Sequence, residues 1–97
     1  MRPSEALNIH RKEIRSIVEK NGACNPRIFG STIRGEDTEL SDLDILVDPI
    51  QGKTTLISIV SIEMEVASLL GVRVDVQTPL ALSERFRGEV LHEAVPV

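Results

Sequence analysis

Tryptophan and tyrosine are absent from this chain, and its only aromatic residues are Phe29 and Phe86. Its core must therefore be aliphatic. There is one cysteine, Cys24, so no disulfide can form within the chain. That absence and the lack of a secretion signal lead to the expectation of a cytoplasmic protein. No apolar run approaches the roughly 20 residues that cross a bilayer, so no membrane association is expected. Basic charge is not in excess either: 11 Lys and Arg stand against 15 Asp and Glu, a net charge of −4. A nucleic-acid groove calls for a basic stripe, so nucleic acid is not expected as a direct ligand. Repeats, low-complexity tracts and linkers are also missing. A chain of 97 residues is expected to fold as one domain, 1–97, with a small core.

What is present is concentrated between residues 30 and 44. Gly30-Ser31 follows the short apolar run Arg27-Ile-Phe29, and ten residues then separate Ser31 from Asp42. Asp44 follows in Asp42-Leu-Asp-Ile-Leu-Val-Asp48, where acidic and apolar residues alternate. In a strand, residues i and i+2 share a face, roughly 6.5–7 Å apart. Leu43, Ile45 and Val47 can then face a core while Asp42 and Asp44 face out together. Two carboxylates so placed repel each other unless a cation lies between them. Mg²⁺ suits the gap, being hard, oxygen-seeking and content with one or two carboxylates plus substrate phosphates. Asp75, in the β-like run Val72-Arg-Val-Asp-Val76, could complete a two-metal site from a neighbouring strand. Gly30 permits a sharp exit from a strand and close backbone approach. Ser31 can open a short helix whose free N–H groups and hydroxyl hold phosphate oxygens. Arg34 lies one turn on, within reach of the same anion or of Glu36 and Asp37.

Gly30-Ser31, the ten-residue gap and Asp42-x-Asp44 resemble the signature of the DNA polymerase β-like nucleotidyltransferases. The context Arg27-Ile-Phe-Gly-Ser-Thr-Ile-Arg-Gly35 and Ser41-Asp-Leu-Asp-Ile-Leu-Val47 is similar to the smallest branch of that superfamily. That branch is the minimal nucleotidyltransferase (MNT) antitoxins paired with HEPN toxins. The likeness extends to Val74-Asp75-Val76 and the ending Glu93-Ala-Val-Pro-Val97. It implies that AMP passes from ATP to a tyrosine of a cognate HEPN ribonuclease toxin, silencing it within a hetero-oligomer. Asp42, Asp44 and Asp75 would be catalytic and hold two Mg²⁺ ions. Gly30, Ser31 and Arg34 would bind the nucleotide. Two alternatives stand beside this reading. One is an antitoxin that neutralises by contact alone, with a vestigial site. The other is a nucleotidyltransferase acting on a small molecule such as an aminoglycoside, for which the acidic stretch Glu36 to Glu39 leaves some room.

The expected elements follow from periodicity and punctuation. A helix should run from Ser4, as N-cap, to about Lys20, stopped by Asn21-Gly22. Strands are expected at 26–30, 42–48 and 72–78, with a short helical turn at 32–35. A second long helix should start at Thr54 or Thr55 and end at Gly71. A last helix should span Ser83 to about Glu93, weakened by Gly88, before an extended Val95-Pro-Val97. The order predicts an α/β (α+β) fold, a small mixed sheet flanked by helices, with the helices on one side. The helix from Leu56 to Leu70 carries two apolar stripes. Ile59, Ile62, Val66, Leu69 and Leu70 form one; Leu56, Val60, Met64 and Ala67 form the other, for a combined arc of roughly 240°. One stripe suffices for packing on a sheet, so the other is expected to meet another chain. Glu63 sits inside the apolar arc.

Other polar residues read more plainly. Asp48 is expected to cap the chain before Pro49. Glu36, Asp37 and Glu39 should form a solvated loop. His10 should be half-buried on the apolar side of the first helix, His92 on the surface, and Cys24 in packing. Lys53 could steer a triphosphate from the loop after the second strand.

Overall fold

The alternation of Leu43, Ile45 and Val47 does set the sheet. In the computed structural model, which describes all 97 residues, these three are fully buried in β2 (Leu43–Pro49). β1 (Ala23–Phe29) lies antiparallel to β2, and β3 (Val74–Gln77) lies parallel to it on the other side. A short β4 (Val95–Pro96) pairs antiparallel with β1, so the strand order is β3-β2-β1-β4. A parallel neighbour needs a crossover. α3 (Leu56–Leu70) supplies it, with Thr55 accepting from the Ser58 N–H at 3.2 Å and Gly71 closing it at φ +70°.

The expected first helix is two helices, α1 (Pro3–Ile9) and α2 (Arg11–Lys20), broken at His10 with φ −119° and ψ 26°. Its N-cap is Arg2, not Ser4. Pro3 takes the first helical position, where its missing N–H costs nothing. The Ser4 N–H donates instead to Asp37 Oδ2 at 3.0 Å. His10 is half-buried, as expected, beside Glu13. β1 starts at Ala23 rather than 26, because the pairing continues past a bulge between Cys24 and Arg27. Pro26 has no N–H for the ladder, and Asn25 takes φ +51°, a conformation its short polar side chain tolerates. The turn expected at 32–35 is a 3-10 turn at Gly30–Thr32. β3 is shorter than 72–78, and the last helix, α4 (Arg87–Glu93), starts four residues later than Ser83.

The main core joins Leu7, Ile14 and Val18 of α1 and α2 to Ile28, Ile45, Ile62, Val66 and Val76. A second, smaller cluster lies on the other face: Leu46, Leu82 and Val90, with Phe29 and Ala94 against it. The helices are therefore not confined to one side. Leu46 is out of phase with Ile45 and Val47, and α4 covers it. Burying a leucine side chain is worth about 1.5–3 kcal/mol, which favours that cover over exposure.

Asp37 corrects the expectation of a wholly solvated loop. It is buried and fastens the loop to the start of α1. Burial pushes its pKa up, but hydrogen bonds from Ser4 outweigh this and hold it below the usual aspartate value. A depressed carboxylate pKa contributes stability above the unfolded-state value, lost as pH falls through the folded one. Asp37→Ala is therefore expected to cost about 1.5–3 kcal/mol at pH 7. Thermal melts should show the penalty shrinking below about pH 4. A penalty independent of pH would mean that the charge is not what stabilises.

The faces of α3 are now distinguishable. Ile62 and Val66 are buried, with Ile59, Leu69 and Leu70 packed beside them. Leu56 is 79% exposed and Met64 68%, so the stripe holding Leu56, Val60 and Met64 faces outward. Glu63 is not stranded in that arc. Its Oε2 accepts the Val76 N–H at 2.8 Å, occupying a donor on the open edge of β3.

Candidate active site

Strand register brings the key residues into one row. Phe29 stands opposite Asp44, and Asp44 stands opposite Asp75. The three lie across β1, β2 and β3 on the face that carries Leu46. Gly30 ends β1 at φ +79°, and a Cβ there would overlap Asp44 Oδ2. The turn backbone thus presses directly against the carboxylate, which only glycine allows. Asp44 is half-buried, and its pKa is pushed up to about 6, first by burial and then by the charges of Asp75 and Asp42. Ser31 follows in the same 3-10 turn.

Asp42 precedes β2, and its Oδ1 accepts from Arg73 Nε at 2.9 Å. Asp75 accepts from Gln77 Nε2 at 3.1 and 3.2 Å. With Asp42 drawn toward Arg73, no three acidic, histidine or cysteine side chains converge on one point. The donor set nonetheless fits a hard divalent cation. It is all oxygen, it is crowded with negative charge, and one carboxylate already holds a cationic group.

Arg34 lies at the same end of the sheet. It forms ion pairs with Glu36 at 2.7 Å and with Glu93 of α4 at 2.8 Å. Its hydrogen bonds to Glu36 and then to Glu93 raise its pKa. Asp48 is no cap before Pro49: it accepts from Arg27 at 3.1 Å and from Asn25 at 2.9 Å. Burial raises its pKa, and the Arg27 and Asn25 bonds bring it below the usual value. Lys53 follows the opposite end of β2 from Asp42. A seven-residue strand puts roughly 20 Å between those ends, so Lys53 does not reach this row.

Arg73, Gln77 and Glu93 were not foreseen as neighbours of the carboxylates. A signal existed for two of them: Arg73, Asp75 and Gln77 alternate, which places them on one side of β3. Glu93 arrives through the packing of α4, which no local pattern encodes.

A glycine turn against paired strand carboxylates is the layout of nucleotidyl transfer, and comparison decides it. Residues 7–97 match the family model described as the nucleotidyltransferase domain. The chain belongs to that family. Members of this polymerase β-like group typically use divalent metal ions, and the chain is an enzyme of the nucleotidyltransferase class. It is 38% identical over 91 residues to the protein adenylyltransferase MntA of Thermococcus cleftensis, covering 94% of this chain and 88% of that one. It is 37% identical over 91 residues to a Methanocaldococcus jannaschii protein assigned by inference as a protein adenylyltransferase, covering 94% and 97%. Within the family it thus groups with the protein adenylyltransferases. A solved structure assigned by inference as a minimal nucleotidyltransferase superposes with TM-score 0.85 at 40% identity, covering 97% of this chain and 95% of that one. The mixed four-stranded sheet is therefore the minimal nucleotidyltransferase fold. A second solved structure, described as a toxin-antitoxin with AMP-PNP, shares the fold with TM-score 0.70 at 19% identity, covering 97% and 71%. No helix is long and apolar enough to cross a membrane.

Proposed function

We propose that this nucleotidyltransferase moves AMP from ATP to a hydroxyl of a partner protein, with Asp42, Asp44 and Asp75 as its catalytic carboxylates. The observation that carries the proposal is the row in which Gly30 is pressed against Asp44 and Asp44 faces Asp75. Asp42 and Asp44 would hold two Mg²⁺ ions, and Asp75 would share the one nearer the acceptor. When bound, such ions neutralise the triphosphate and favour the deprotonated acceptor oxygen. Gly30 and Ser31 offer N–H groups and a hydroxyl to the β- and γ-phosphates. Arg34, on leaving its partners Glu36 and Glu93, would add positive charge beside them. Asp75 receives the acceptor's proton. The work of these residues is positioning and charge complementarity.

The relatives named as protein adenylyltransferases support a protein as acceptor. The resemblance to MNT antitoxins makes it a tyrosine of a cognate HEPN ribonuclease toxin, modified in the cytoplasm. The neighbour described as a toxin-antitoxin with AMP-PNP is in keeping with ATP and a toxin as the two partners. Contact alone would need no such row of carboxylates, so the binding-only alternative is not favoured.

Asp75→Asn tests the reading. The amide keeps the shape but loses the charge and the capacity to take a proton. ATP affinity measured by calorimetry with Mg²⁺ should change little, while single-turnover transfer should slow by about 100-fold or more. Transfer at the normal rate would make Asp75 structural.

The outward stripe of α3 supplies the expected contact with the partner. Val60→Glu, at a position 43% exposed, should leave the melting temperature within a few degrees. It should weaken the hetero-oligomer by about tenfold or more in sedimentation or calorimetry. Ile62→Ala, on the inner stripe, should instead cost about 2–5 kcal/mol of stability. Equal behaviour of the two variants would contradict this division of the helix.

A further inference from the structure

Three polar residues alternate along β3 on the face that carries Asp44: Arg73 just before the strand, then Asp75 and Gln77. Arg73 Nε donates to Asp42, and Gln77 Nε2 donates to Asp75. Each neighbour of Asp75 on this face thus holds one carboxylate, and the two do so differently. The Arg73 guanidinium brings a full positive charge and is 82% exposed. The Gln77 amide is neutral and half-buried. Gln77 is the last residue of β3 and stands opposite the fully buried Leu46. With Phe29, Leu82 and Phe86 it lines a cavity of about 420 Å³ beside Asp75. The sheet and these walls set where its amide sits.

The contact itself is specific. Nε2 lies 3.1 Å from one oxygen of Asp75 and 3.2 Å from the other. Carboxylate oxygens only accept, so the amide nitrogen must be the atom that faces them. One donor group shared by both oxygens fixes where the carboxylate sits and how it is turned. The register shows why such a hold is needed. Asp44 and Asp75 stand opposite each other on paired strands, whose backbones are about 4.8 Å apart. Like charges so placed push each other away. A free Asp75 side chain has other staggered positions to adopt, and Arg73, two residues back on the same face, is there to receive it. Pairing with that guanidinium would neutralise the charge with which Asp75 takes a proton. A lysine or arginine at position 77 would do the same. A neutral donor holds the carboxylate and leaves its charge in place. We infer that Gln77 is a positioning residue for transfer, which touches neither nucleotide nor acceptor and acts by holding the Asp75 carboxylate on the Asp44 face, away from Arg73. The inference rests on the reading of Asp75 as catalytic.

Gln77→Met keeps the length of the side chain and removes the donor. Gln77→Glu keeps the shape and puts a repelling carboxylate in the donor's place. Each is made alone and together with Asp75→Asn. Melting temperature should stay within a few degrees, and Mg²⁺–ATP affinity by calorimetry within about twofold of the parent. Single-turnover transfer, followed by intact mass of the partner protein, should slow by about 10- to 100-fold. In the Asp75→Asn background the same substitutions should slow transfer no further, because the two residues act as a unit. A second readout needs neither metal nor nucleotide. The only other glutamine, Gln51, is exposed and serves as the reference. In NMR of the metal-free protein, the side-chain amide protons of Gln77 should exchange with water more slowly than those of Gln51, and should lose that protection in Asp75→Ala.

Normal transfer by Gln77→Met overturns the inference. So does a further loss of similar size in the Asp75→Asn background, which would put Gln77 against a substrate or in the fold instead. Equal exchange of the two glutamine amides overturns it as well. Should Gln77→Met fail to fold, Gln77→Glu is read in the same way. Normal transfer by Asp75→Asn is a separate failure: the catalytic reading of Asp75 falls, and the inference falls with it.

Discussion

Replacing Asp44 with alanine is expected to abolish AMP transfer while leaving the fold intact and the metal-free protein slightly more stable. Activity should fall by at least about 1,000-fold, because the variant lacks a charged ligand where the triphosphate must be neutralised. Asp42→Ala should do the same, and excess chelator should reproduce the loss in the parent chain. The stability effect has a defined sign. The pKa of Asp44 is raised to about 6, first by burial and then by Asp75 and Asp42, so its ionisation opposes folding. The parent therefore loses stability as pH rises from the ordinary aspartate value through about 6. Asp44→Ala has nothing to ionise there. In chelator, its advantage should be absent near pH 4 and level off above pH 6 at about 1 kcal/mol, discounted for the solvent that reaches a half-exposed group. An Asp44→Ala variant that transfers normally would refute the assignment. One less stable than the parent at pH 8 would refute the electrostatic account.

Gly30→Ala should be nearly as damaging to activity, although it adds only a methyl group. The added Cβ would overlap Asp44 Oδ2, and the backbone at φ +79° is strained for any side chain. The variant must shift either the turn or the carboxylate, and both belong to the same site. A displacement of about 1 Å there is enough for a 100-fold loss of rate. The strain should also lower stability by about 1–2 kcal/mol. Melting temperature and single-turnover rate should fall together. Gly35→Ala, at φ +72° but with open space around it, separates the causes. It carries the same backbone strain without the collision, so it should lose stability and keep most of its transfer rate.

The centre of the sheet was legible because its pattern is local. Leu43, Ile45 and Val47 alternate with acids, Gly30 stands at the end of an apolar run, and Thr55 and Gly71 punctuate α3. Register followed less directly. The opposition of Asp44 and Asp75 depends on a parallel crossover that the order of elements suggests and the sequence does not number. The break at His10 was not legible, because Leu7 and Ile14 keep helical spacing across it. The loop contact from Asp37 to Ser4 spans 33 positions and leaves no local trace. Asp48 shared its parity with Asp42 and Asp44, but only the bulge at Asn25 shows why Arg27 and Asn25 meet it. Two apolar stripes on α3 were visible in the sequence, whereas which one faces outward depended on where α2 and the sheet sit.

The central claim is that this chain transfers the adenylyl group of ATP to a protein hydroxyl. The direct measurement incubates it with the protein encoded beside it, Mg²⁺, and ATP labelled at either the α- or the γ-phosphorus. Intact mass and peptide mapping then follow the label. The account predicts that the partner gains whole AMP units, with α-label on a tyrosine and no γ-label, and that Asp44→Ala abolishes the gain. Incorporation of γ-label, or neutralisation of the partner with no change in its mass, would contradict it.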